Sequence, residues 1–340
     1  MTPSERLENL LTGNYTDRPP FIPAIYDLKP SFLNAAPHTF GQKAEDIINA
    51  LTYEAEQLDA DALTAAYDIY NVEAEAAGCR LLRDLNIGMP EIANPLLNTL
   101  DESDQLRLSE GPTGRMGIFV RAAKFILQKY CGSIPVRGGI SGPFTMAARI
   151  FPKEILFMET IINPEKLIGI LQFCTETIKI YAKAFAEIGA GVIVFDSFVS
   201  PPMLPPQVYH DLVLPFHKDI FNFLMHQGVL QRTLIIGGNT LPIIEDIVST
   251  GATQFLLDFT ISMEGVNSVL QEYPNCVFRV NLPPASFISK NTDELKKIID
   301  KTLSLLKNHK NIIIGTGILP LKVPPSNILF AKNEIINFYK

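Results

Sequence analysis

Gly191-Val-Ile-Val-Phe-Asp-Ser-Phe-Val-Ser-Pro-Pro202 contains a continuous apolar run, Val192 to Phe195, that stops at Asp196 and Ser197 before two prolines. A strand buried on both faces reads this way, and the polar C-terminal end of such a strand is where parallel barrels and open α/β sheets put their chemistry. Outward from it, the same order of apolar run, polar residue, turn and helical stretch recurs at residues 21–27, 62–68, 134–141, 233–239, 254–258, 276–281 and 311–316. Eight such runs separated by helical patterns predict an α/β fold, a (β/α)8 TIM barrel. Residues 1–340 are read as one barrel domain with an N-terminal helical extension.

Hydrophobic residues make up 47% of the chain and charged residues 19%, which is enough apolar mass for a large core and too little charge for long disordered segments. The net charge of -7, with Lys and Arg spread thinly, gives no basic stripe to neutralise a phosphate backbone, so nucleic acid is excluded as a partner. Cys79, Cys131, Cys174 and Cys276 lie far apart without CxxC spacing, and Met1-Thr-Pro-Ser-Glu-Arg6 lacks a basic-then-apolar leader. Both point to a reducing cytoplasm. No apolar run approaches the roughly 20 residues of a membrane span.

Thr2-Pro-Ser-Glu-Arg6 opens an amphipathic helix with Leu7, Leu10 and Leu11 on one face, suited to capping the bottom of the barrel. The first strand delivers Tyr26, Asp27 and Lys29 to its end, and a helix over 41–58 follows. The second ends at Asp68, which either serves a site or caps the next helix. Asp68, Glu75 and Cys79 have the donor types for a metal, although Glu in a helical first turn is ordinarily a solvated residue that complements the helix dipole. Residues 84–110 carry no period and read as an excursion. Helices are expected over 114–130 and 164–188.

Ser141-Gly-Pro-Phe-Thr145 is either a tight strand-to-helix turn or a place where backbone approaches a ligand. Arg149, just beyond, suits an anionic substrate if it reaches the site and is otherwise a rim charge. His217, on a half-apolar helical stretch, is the only histidine near the expected mouth, as a site residue or a structural hydrogen-bonder. Asn239, Asp258, Asn281 and Thr316 end later strands. P-loop, HExxH and GxSxG motifs are absent.

Taken in order, these segments resemble the uroporphyrinogen decarboxylase superfamily, whose other branch is the corrinoid-dependent methyltransferases. The resemblance runs from about residue 3 to 338. It rests on Ser141-Gly-Pro-Phe-Thr145, Phe195-Asp-Ser-Phe198, Leu214-Pro-Phe-His-Lys218, Gly238-Asn-Thr240 with Ile244-Glu-Asp246, and Gly315-Thr-Gly-Ile-Leu-Pro320 with Pro325-Ser-Asn-Ile328. It implies the same barrel.

Against that pattern, the decarboxylase branch's arginine pair after the first strand is replaced by Ala24-Ile-Tyr-Asp-Leu-Lys29. Its tyrosine after the glycine-proline turn becomes Arg149, its last-strand histidine becomes Thr316, and only its aspartate is matched, by Asp68. The methyltransferase branch's zinc ligands fall at Ile235, at Gly237 and at Gly317 or Ile318, so no zinc is expected. Tyr67 to Cys79 resembles the methyltransferase branch. The resemblance therefore implies methyl transfer between a small donor or acceptor and a corrinoid (cobalamin) carried by a separate protein, in a homodimer. Asp68 and Asp196 are the expected catalytic residues, with split carboxyl pKa values. Tyr26, Arg149, His217, Asn239, Asp258, Asn281 and Thr316 are the expected substrate contacts. A lyase acting on a porphyrinogen or another small acid, and a non-catalytic ligand-binding homologue, are the alternatives.

Overall fold

The computed structural model describes residues 1–84 and 88–340. Eight strands run parallel: β1 (Phe21–Ala24), β2 (Leu63–Ala65), β3 (Val136–Ser141), β4 (Gly191–Phe195), β5 (Arg232–Ile235), β6 (Gln254–Leu257), β7 (Val277–Leu282) and β8 (Ile312–Ile318). Ladders join neighbours from β2 through β8 and then β8 to β1, as expected of the barrel. β3, β4, β6 and β7 are buried at every residue, because side chains of one parity fill the barrel and those of the other meet the surrounding helices.

Register fixes that parity. Ile193 and Phe195 on β4 pair with Thr233 and Ile235 on β5, and Ala24, Tyr26, Ala66, Ile193, Phe195, Ile235 and Leu256 form an apolar cluster inside the barrel near its C-terminal end. The opposite end is closed by helix Pro3–Leu11, whose Leu7 and Leu10 pack with Ile22, Ala62, Val277 and Ile313. That is the role expected of this helix. It starts with a capping box between Thr2 and Glu5, and Asp61 fastens it. The buried Asp61 carboxylate accepts from Arg6 Nη1 at 3.0 Å, Arg18 Nη1 at 2.6 Å and the Phe21 amide at 2.8 Å, tying the helix to the β1–β2 seam.

β1 and β2 are shorter than their apolar runs, since the chain turns into the mouth at Tyr26-Asp27 and at Tyr67-Asp68. The helix expected over 41–58 spans Ala44–Gln57, and the one over 164–188 is a short 3₁₀ turn followed by Ile168–Glu187. The aperiodic stretch holds a ribbon pairing Leu81–Leu82 with Glu91–Ile92 and a 3₁₀ helix at Leu100–Gln105, while its residues 85–87 lie outside the described residues. None of the described helices is long and apolar enough to cross a membrane.

Candidate active site

The mouth has two unlike flanks. On the β1–β2 side, Asp68 follows the second strand in the left-handed backbone region, at φ 52°, which non-glycine residues rarely occupy. Its carboxylate meets Arg115 Nη1 at 2.9 Å and accepts from Asn71 Nδ2 at 2.5 Å. Burial pushes the Asp68 carboxyl up to about 7 against the pull of Arg115 and Asn71, and the neighbouring negative charge of Asp27 adds to the rise. Burial raises the Asp27 carboxyl too, against the pull of the Lys29 charge. Its Oδ1 is buried without a hydrogen-bond partner.

Arg115 also decides the metal question raised by Asp68, Glu75 and Cys79. Its Nε donates to Glu75 while its Nη1 holds Asp68, so a guanidinium stands where a cation shared by those carboxylates would sit. The Cys79 thiol, raised to about 11 by burial, points at the Arg149 carbonyl 4.0 Å away. Among the described residues no group of three or more His, Cys, Asp or Glu side chains is placed to hold a metal. Glu73 turns inward, accepting from the Ser141 amide at 2.7 Å.

Arg149 leaves helix Pro143–Ile150 toward this flank. Its guanidinium lies 5.7 Å from the Tyr70 ring and 5.5 Å from the Phe198 ring, with Nε buried and unpartnered. Among the described residues it has no ion-pair partner, and burial lowers its pKa. A stacked, unpaired guanidinium is built to take an anionic group. Tyr70, whose hydroxyl meets Ser197 Oγ at 2.8 Å, links this flank to the end of β4.

The opposite flank corrects the expected pairing of Asp68 with Asp196. Because Phe195 points into the barrel, Asp196 turns outward to the helical shell and is fully buried there. It accepts from the Thr145 amide at 2.7 Å and the Phe144 amide at 3.3 Å, capping helix Pro143–Ile150 from another strand. Gly142 permits this, since any side chain there would collide with Asp196, so the glycine turn serves close packing. His217 Nε2 lies 2.8 Å from Asp196 Oδ2, and its Nδ1 lies 3.0 Å from the Tyr209 hydroxyl. The acid that does face Asp68 is Asp27.

The other expected contacts are divided between the rim and the interior. Asn239 Oδ1 accepts the Leu241 amide and Asp258 Oδ1 accepts from Thr260, so both oxygens order their own turns. Thr316 Oγ1 accepts the Ala24 amide at the β1–β8 irregularity. Tyr26 and Asn281 line the interior, where both accept from Arg279, a residue sequence reasoning did not single out. Tyr70, Arg115 and Arg279 were missed, as was Arg137. For the last two a signal was present, a charged residue inside an otherwise apolar strand.

The chain belongs to the uroporphyrinogen decarboxylase (URO-D) family, whose pattern it matches over residues 2–335. Within that family it is similar to two proteins named methylcobamide:CoM methyltransferase MtbA. The one from Methanosarcina acetivorans is 25% identical over 336 residues, 96% of this chain and 95% of the relative. The one from Methanosarcina mazei is 26% identical over 274 residues, 79% and 77%. A uroporphyrinogen decarboxylase from Carboxydothermus hydrogenoformans is 27% identical over 200 residues, 57% of this chain and 55% of the relative. A solved methyltransferase from Methanosarcina mazei superposes with a TM-score of 0.87 at 21% identity, covering 100% of both chains, which shows the shared fold.

The positions the family resemblance assigns to zinc do not fit one. Ile235 belongs to the apolar interior cluster, Gly237 has no side chain, and a side chain at Gly317 would strike Phe259 and Pro284.

Proposed function

We propose that this chain moves a methyl group between a small acidic substrate and a corrinoid carried by a separate protein, without the zinc of the thiol-methylating branch. The observation that carries the reading is Asp68, a carboxyl poised near neutrality beside a second acid, with an unpaired guanidinium on the same flank. The two relatives named for methylcobamide chemistry support it. The corrinoid supplies the cobalt that carries the methyl group. Arg149 binds the anionic end of the substrate, and the Tyr70 and Phe198 rings hold that guanidinium in place. When the methyl group leaves, the atom left behind gains an electron pair, and Asp68 donates its proton to that atom. In the reverse direction Asp68 removes the acceptor's proton. Burial, with a smaller contribution from the neighbouring Asp27, keeps the Asp68 carboxyl high enough to hold that proton.

The test incubates the protein with cob(I)alamin and a panel of methylated carboxylates, following methylcobalamin formation by absorbance. Demethylation should fall as pH rises through about 7, because the proton to be donated is then lost. Asp68→Asn should lower the rate on the order of 10²–10⁴-fold, the usual contribution of a general acid. Tight binding of panel compounds without turnover would instead establish a non-catalytic binding module. Activity indifferent to Asp68 would overturn the assignment of the acid.

A further inference from the structure

The barrel interior, beneath the mouth, carries positive charge that no side chain offsets. Arg137 on β3 and Arg279 on β7 both point inward and are 2% and 4% exposed. Arg137 Nη2 donates to Thr64 Oγ1 at 2.9 Å and its Nε has no partner. Arg279 donates to the Asn281 amide oxygen at 3.0 Å, the Thr316 carbonyl at 3.1 Å and the Tyr26 hydroxyl at 3.3 Å, all neutral groups. Among the described residues no carboxylate lies within ion-pair distance of either arginine. Glu54, whose field reaches Arg137, is already paired with Lys29 at 2.9 Å.

A buried charge without a counter-charge is strongly penalised, and a guanidinium cannot escape by losing its proton. Here two oppose each other, and burial together with that repulsion holds Arg137 down to about 10. The chain nevertheless makes room for both. A side chain at Gly191 would strike Arg137 Cγ at 3.0 Å, and one at Gly315 would strike Arg279 Nε at 2.6 Å. The inward groups left without partners are the acceptor Gln231 Oε1, the Thr233 hydroxyl and two donors. Arg137 Nε is free, and so is Gln254 Nε2, on the inward face of β6. Tyr26 accepts from Arg279, and no described residue accepts its hydroxyl hydrogen. Two buried guanidiniums without a counter-charge, with Arg137 Nε and the Tyr26 hydroxyl hydrogen unused, select an anion.

We propose that the barrel interior binds one small monovalent anion, a halide or a carboxylate group, between Arg137 and Arg279. The anion supplies the missing counter-charge and accepts the hydrogens that Arg137 and Tyr26 leave unused. This site is separate from Arg149 and does not depend on the methyl-transfer reading.

The test measures thermal unfolding at fixed pH and ionic strength while sodium lactobionate, whose anion is too bulky to enter, is replaced by chloride, formate or acetate. A small anion at tenfold its dissociation constant should raise Tm saturably by about 2–4 °C. Equal responses to chloride and the carboxylates would identify a free ion as the guest. A response to formate and acetate alone would identify the carboxylate end of a substrate. Arg137→Met and Arg279→Met should abolish the response, and each should raise Tm in lactobionate. If either variant fails to fold, the wild-type series still decides. An identical Tm in every salt, or a non-saturating drift shared by the variants, would overturn the proposal.

Discussion

Asp68 and Asp196 follow barrel strands in the same way, yet the fold treats them in opposite ways. Asp196 faces the helical shell, where two helix N-terminal amides and His217 satisfy it. Asp68 sits in a left-handed backbone conformation beside another acid and shares its guanidinium with Glu75. One carboxylate fastens elements together. The other is held at a disadvantage that only a reaction or a ligand would justify. Strand parity separates them: Phe195 fills the barrel and sends Asp196 outward.

The widest gap between the two flanks should appear in stability. Asp196→Ala removes the acceptor for two buried amides and leaves His217 without its carboxylate, which should destabilise by about 3–5 kcal/mol. Asp68→Asn keeps the bond to Asn71 available, suits the left-handed backbone and leaves Arg115 its pair with Glu75, so it should cost about 1–2 kcal/mol, below the loss for Asp196→Ala. Urea denaturation at pH 8 checks both. Comparable losses would erase the distinction and make Asp68 part of the scaffold.

Arg149 sharpens the comparison from the ligand's side. It has no ion pair to lose, so Arg149→Met should leave unfolding nearly unchanged, while KM for an acidic substrate rises about 10- to 100-fold through loss of charge-assisted hydrogen bonds. Lysine should restore only part of the affinity, since an ammonium lacks the planar fork that stacks between Tyr70 and Phe198. A KM unmoved by Arg149→Met, with kcat also unchanged, would place the anionic end of the substrate elsewhere.

Much of the fold was legible because a doubly buried parallel strand leaves a continuous apolar run ending in a polar residue, and all eight runs gave strands. The site was legible only in part. That Asp68 ends a strand can be read along the chain. That Arg115, 47 positions later, neutralises it cannot, because helix Gly114–Lys129 reaches the mouth only through tertiary packing. The pairing with Asp27 depends likewise on the β1–β2 seam. Arg137 and Arg279 did leave a trace, a charge amid Val-Arg-Gly-Gly-Ile and Val-Phe-Arg-Val-Asn, but apolar neighbours drew those segments into the strand reading and the arginines passed unremarked. Thr316 and Asn239 show the converse, since a polar residue at a strand end is often used up by its own turn.

The last expected effect is one of pH dependence and concerns Glu73, which lies between the two flanks. Ser141 has one hydroxyl hydrogen, yet its Oγ is 2.8 Å from Glu73 Oε2 and 3.0 Å from the Ile69 carbonyl. If Glu73 is protonated, Oε2–H donates to Ser141 Oγ, the serine donates to Ile69, and Oε1 still accepts the Ser141 amide, so every group is satisfied. Burial raises the Glu73 carboxyl, which favours that arrangement, while the bonds from Ser141 oppose the rise. A folded pKa above the unfolded value of about 4.3 means the native state holds the proton longer, so stability falls as pH rises between the two values, at up to about 1.4 kcal/mol per pH unit. Glu73→Gln replaces the acid with a neutral donor and acceptor and should remove that slope. The variant should match wild type near pH 4 and surpass it progressively as the wild-type carboxyl is forced to ionise, as read from denaturation midpoints between pH 4 and 9. A constant deficit across that range would show instead that Glu73 is ionised in the native state, and that the Ser141 hydroxyl bonds to it and not to Ile69.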